Sequence, residues 1–282
     1  MSDLPEQAPS TPAPLTRRER RAVGAAASRF PGRVYVPRTI TMIATVAFAG
    51  LVALTGYAGP ALVAVAIALG GFVLAWGWPA LLGLPSPRGT TTVLTAGAVF
   101  MAGAVVLTSD DPFLAWVPAG MAVAVVVAFL HQLLRRDGRP RLTESVAATT
   151  AGLAIISSGV ALAPLPHVLG GADALAATMA GLAVSALVDP MIGIGRLRQW
   201  ALFVAMVLGG LAAFLVALIT GHPQTATAAL LGLLAAGVSH AARRVMAALP
   251  AAGGARAQLA VAASSSMLIG VVAYVVVRRF VA

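Results

Sequence analysis

The chain has 282 residues, of which 59% are hydrophobic and only 10% charged, and its mean hydropathy is +0.92. A water-soluble domain carries roughly 25% charged residues, so this composition excludes a fold bathed in water on every side. The net charge of +10 comes from 19 basic residues, all Arg, whose position beside long apolar runs marks membrane orientation and excludes a nucleic-acid footprint.

Residues 1–38 differ from the rest. Met1 to Pro14 is rich in Pro, Ser and Ala, and reads as disordered. Arg17, Arg18, Arg20, Arg21, Arg29, Arg33 and Arg38 follow, giving an Arg-rich cytoplasmic tail that touches anionic lipid. The apolar stretch lies too far from this tail for a twin-Arg export signal.

From Thr39 onward nine apolar segments follow, at about 39–57, 60–84, 91–108, 113–134, 145–163, 173–192, 199–220, 225–245 and 257–277. Each is close to the roughly 20 residues a helix needs to cross hydrocarbon. In lipid every backbone polar group must be paired within the segment, and the alternation of a barrel strand is absent. The expected fold is therefore all-α, a polytopic transmembrane helix bundle of about nine spans. Gly59-Pro60, Pro85-Ser86-Pro87, Asp111-Pro112, Pro164 with Pro166, Gly221-His222-Pro223 and Pro250 to Gly254 punctuate the boundaries. Pro79 and Pro118 are expected to kink or end their helices.

Seventeen of the Arg residues fall in the tail or in every second loop: Arg88; Arg135, Arg136, Arg139 and Arg141; Arg196 and Arg198; and Arg243, Arg244 and Arg256. The intervening loops hold Asp110, Asp111, His167, Asp173 and His222 instead. Basic loops face the cytoplasm, so the N-terminus is expected inside a cell membrane, read as a bacterial inner membrane. Nine crossings put Arg278 and Arg279 outside, against the rule; a count of eight or ten is the alternative. The loops are too short to hold a soluble ectodomain or a nucleotide-hydrolysing module.

Small residues supply close helix contact where the hydrophobic drive is weak. Gly70 and Gly71, Gly97 and Gly103, Ala205 with Gly209, and Gly232 with Ala236 are the expected contact points. Trp76, Trp78, Trp116 and Trp200 fall near segment ends and suit an interfacial belt.

Chemistry has few places to sit. Cysteine is absent, which removes disulfides and thiolate chemistry. No metal-ligand spacing, Walker A sequence or nucleophile elbow occurs, so neither a metal nor another cofactor is expected. Asp189 is the one acid clearly inside an apolar segment, and such groups usually face the bundle interior. Asp189 precedes Pro190, Gly193 and Gly195, where the helix is expected to break; Arg196 lies roughly 10 Å further along if helical, so Arg196, Arg198 or a loop amide near the interface is the expected partner. His131 and His240 share that depth, as do Thr149, Thr150 and Ser264, and Arg243 follows His240 by three positions. The candidate substrate-binding set is Asp189, His131, His240, Arg196 and Arg243, lining one inward-facing polar cavity. The guest is expected to be small or lipid-borne; Arg forks match phosphate oxygens, which makes an anionic group such as a phospholipid head group one candidate. Expected partners are membrane lipids, with anionic inner-leaflet phospholipid near the Arg-rich loops, and a membrane-protein partner or a second copy.

Three stretches resemble phosphatidate cytidylyltransferases: Ala186 to Asp189 with Gly195-Arg196, the run at Arg243-Arg244, and the final span through Tyr274. The resemblance covers about a third of the chain and implies a membrane enzyme that makes CDP-diacylglycerol with divalent metal. That family's C-terminal signature needs a Lys-Asp pair, whereas this chain has no Lys and no acid after Asp189. The resemblance thus implies a relative without the metal-binding carboxylates. The reading preferred here is a non-catalytic protein that binds or transports a substrate, or a membrane-complex subunit; the alternative is a lipid-phosphate-handling enzyme.

Overall fold

The computed structural model describes residues 38–108, 110–135 and 141–281. The expected tail before Arg38, and Arg136 and Arg139, lie outside these residues. Within them the helices are α1 (Thr39–Ala58), α2 (Pro60–Leu82), α3 (Pro87–Val106), α4 (Val117–Leu134), α5 (Leu142–Val160), α6 (Gly171–Leu187), α7 (Ala201–Thr220), α8 (Thr225–Ala247), α9 (Ala255–Met267) and α10 (Gly270–Phe280). No strand occurs among the described residues. With α9 and α10 taken as one stretch, nine helical stretches among the described residues are long and apolar enough to cross a membrane.

Local chemistry explains the joints. Gly59 adopts φ 123°, a region closed to L side chains, so α2 starts at Pro60 one residue after α1 ends. The fourth segment starts later than expected, at Val117, because Pro118 occupies the first turn, where its missing N–H is harmless. Pro79 is carried inside the last turn of α2.

The ninth segment is broken between Met267 and Gly270. Here α5 fills the gap. The Ser158 hydroxyl donates to the Leu268 carbonyl at 3.1 Å and accepts from the Val271 N–H at 3.3 Å. A Cβ on Gly270 would lie 1.8 Å from the Ser158 carbonyl oxygen, so only glycine permits this approach. The freed backbone groups are thereby satisfied inside protein, as hydrocarbon requires.

α9 sits deepest, with Ala260 to Met267 all buried. Its side chains are small, and Ser264, Ser265 and Ser266 return their hydroxyls to Ala260 and Ala262 carbonyls. α6, α7 and α8 form a tight group, while α4 and α7 present large apolar side chains outward. Phe129, Leu133, Phe203, Leu211 and Ile219 are exposed.

Opposite ends of the bundle carry different contacts. At one end the Arg38 guanidinium donates to the Ala247 and Ala252 carbonyls, Arg141 to the Gly83 carbonyl, and Arg244 to the Arg198 carbonyl. At the other, Tyr57 donates to Asp173, Phe113 stacks on His167, and Arg278 pairs with Asp111. The last contact places the end of α10 beside the α3–α4 loop, at the end of the bundle opposite Arg38.

Two packing expectations change. Trp78 leaves the interfacial set: it is buried and donates its indole N–H to the Ala148 carbonyl at 2.8 Å. Gly103 makes no close contact, since a Cβ there would meet nothing within 4 Å.

Candidate functional site

Asp189 ends up where two helix termini meet. Pro190 removes the next backbone donor and crowds the preceding turn, so α6 stops at Leu187 and a 3-10 turn, Asp189–Gly193, follows. The carboxylate projects toward α8 and is mostly shielded, with 17% of the side chain exposed.

Arg243 of α8 grips it. Nε donates to one carboxylate oxygen at 2.6 Å and Nη2 to the other at 3.1 Å. This two-pronged arrangement is the strong form of the pair. Nη2 also donates to Ser185 Oγ at 3.2 Å, and Nη1 to Ser239 Oγ at 2.5 Å. Four of the five guanidinium N–H groups are therefore engaged. Ser185 stands four residues before Asp189 and Ser239 four before Arg243, a spacing that puts each on the face of its charged neighbour. Sequence reasoning missed both serines; this spacing was the available signal.

His240 completes the cluster. Its Nδ1 lies 3.0 Å from the Asp189 carboxylate that Arg243 also holds. An ionised carboxylate only accepts, so Nδ1 is the donor of this bond. Nε2 is buried and has no hydrogen-bond partner among the described residues. An orphaned buried polar atom costs roughly 1–3 kcal/mol, and in a polar cluster it marks an open hydrogen-bonding position.

The other expected members lie elsewhere. Arg196 is exposed in the turn after Gly193, and the sequence-near pairing of Asp189 with Arg196 or Arg198 is replaced by the pairing with Arg243. A nearby partner loses because the helix ends before Asp189, so the chain turns away instead of stacking Arg196 two turns above it. His131 does not join Asp189 and His240. It shares a hydrogen bond of 3.2 Å with Ser86 and lies against Gly89, on α4, which packs on α3 and α5.

That second corner is polar too. Gln132 donates to Ser145 Oγ at 3.2 Å and accepts from Arg135 at 3.1 Å. His131, Gln132, Thr149 and Thr150 line a cavity of about 50 Å³ between the helices. The expected single cavity is thus two separate polar regions. Among the described residues no three His, Asp or Glu side chains gather as a metal site.

No protein-family model, no curated protein and no solved structure matches this chain.

Proposed function

We propose that this chain is a non-catalytic, multi-spanning protein of a cell membrane, with its arginine-rich end in the cytoplasm, that binds or transports a small or lipid-borne substrate at the Asp189 cluster. The observation that carries the reading is a shielded charge pair inside a membrane-length helical bundle, beside an unsatisfied His240 Nε2. Ionisable groups at such depth are costly and usually mark a substrate or ion path. The orientation rests on the Arg-rich loops.

The chemistry of the cluster narrows the guest. Arg243 is neutralised and nearly saturated by Asp189, Ser185 and Ser239. The open atom is a buried ring nitrogen, so the group it takes is a small polar one such as a hydroxyl, which both donates and accepts. Any anionic portion falls to the exposed guanidinium of Arg196.

A thermal-shift screen tests this on purified protein in nanodiscs. The probes are glycerol 3-phosphate, inorganic phosphate and phosphatidylglycerol. The comparison protein is Asp189→Asn with Arg243→Met, which removes both charges together. A probe that stabilises the natural chain and not the paired variant supports the site. Equal stabilisation of both proteins removes it.

A further inference from the structure

The corner that holds His131 has chemistry the Asp189 cluster does not use. Gln132 and Thr149 are buried there, whereas Thr150, Phe129 and Val146 line the same cavity and are also exposed. The cavity therefore opens sideways between α4 and α5, toward hydrocarbon in the bilayer reading. Polar groups facing hydrocarbon demand polar partners. Arg135 is buried at the cytoplasmic end of the same wall, hydrogen-bonded to Gln132.

We infer that this lateral cleft binds a glycerophospholipid, with its phosphate at Arg135, an ester linkage beside Gln132 and Thr150, and the start of an acyl chain along Phe129 and Val146. Size supports this partition. The cavity of about 50 Å³ holds about three waters at roughly 15 Å³ each, which suits an ester group and excludes a whole head group. Depth agrees. Phe129 lies six residues before Arg135, roughly 9 Å along the helix, matching the order of phosphate, ester and chain from surface to interior. Thr150 and the amide of Gln132 supply donors, and ester carbonyls accept. A lateral mouth favours a bilayer-borne ligand over a water-soluble one. The inference rests on the bilayer reading but not on the Asp189 cluster.

The experiment is photo-crosslinking of the full chain in nanodiscs that contain phosphatidylglycerol with a diazirine near the ester linkage. Adducts are mapped by mass spectrometry. The expected result is labelling within 125–132 and 146–153, lost in Thr150→Phe and in Val146→Trp, two exposed positions where a larger ring fills the mouth. Labelling of the outward face of α7 at Phe203 and Leu211 stays unchanged in both variants. Cleft labelling that survives both substitutions would overturn the inference, as would equal labelling by a diazirine diacylglycerol that lacks phosphate. Adducts on α7 without any in the cleft reject the cleft and leave the bilayer reading standing. Absence of adducts on every helix rejects both.

Discussion

Asp189 is held by Arg243, a residue 54 positions away, through two hydrogen bonds of 2.6 and 3.1 Å. The pair ties the broken end of α6 to the last turns of α8. Ser185 and Ser239 close the ring from the two helices.

Breaking one side of this pair leaves the other charge buried and unmatched, a loss of roughly 3–5 kcal/mol. Asp189→Asn alone should therefore lower the unfolding midpoint strongly in detergent titrations. Combining it with Arg243→Met should recover more than half of the loss. Additive losses in the double variant would show that the two side chains do not act as a pair.

The α6–α7–α8 group depends on glycine. A Cβ on Gly232 would lie 2.3 Å from the Gly209 carbonyl oxygen, and a Cβ on Gly181 would lie 2.6 Å from the Gly232 Cα. Gly232→Ala forces two backbones apart, and overpacking of this kind costs about 1–3 kcal/mol. Gly103→Ala, with nothing within 4 Å, should be neutral. Thermal unfolding of the two variants side by side checks the contrast, and equal melting temperatures refute it.

Because the chain has no Cys, single Cys substitutions report orientation without background. Leu169→Cys stands at a position 88% exposed in the α5–α6 loop and should react with an impermeant maleimide on intact cells. Ala251→Cys, exposed between α8 and α9, should react only after permeabilisation. The reverse pattern overturns the orientation proposed above.

Arg278 and Asp111 meet at 2.5 Å, with 35% and 48% of their side chains exposed. An exposed, solvent-screened pair contributes little, so Arg278→Ala should leave stability almost unchanged. Its value lies in proximity. A short bismaleimide should join Asp111→Cys to Arg278→Cys within one chain and fail to join Arg88→Cys to Arg278→Cys. Linkage of the second pair would place the C-terminus at the wrong end.

Much of the architecture was legible from residues alone. The segment at 39–57 became Thr39–Ala58, and that at 225–245 became Thr225–Ala247. Hydropathy is a local property, and each helix in lipid must pair its own backbone, so length and apolarity fix a span without reference to neighbours. Pro190 likewise announced the end of α6 near Asp189 by removing a backbone donor. The alternating Arg placement separated two ends of the bundle before any contact was known.

Contacts between helices were not legible in this way. Nothing local distinguishes Arg243 from Arg196 as the partner of Asp189, or assigns His240 to that carboxylate and His131 to Ser86. Trp78 reads like the other tryptophans until the Ala148 carbonyl is found beside it. The break at Met267–Gly270 is hidden in an apolar run because Ser158, more than a hundred residues earlier, satisfies the freed groups. Hydrophobic length and loop charge are written residue by residue, so the sequence by itself determined the apolar helices and which joints carry Arg. Which side chains share a site depends on how each helix is rotated and on which neighbour it meets, and packing of the whole bundle alone decided that.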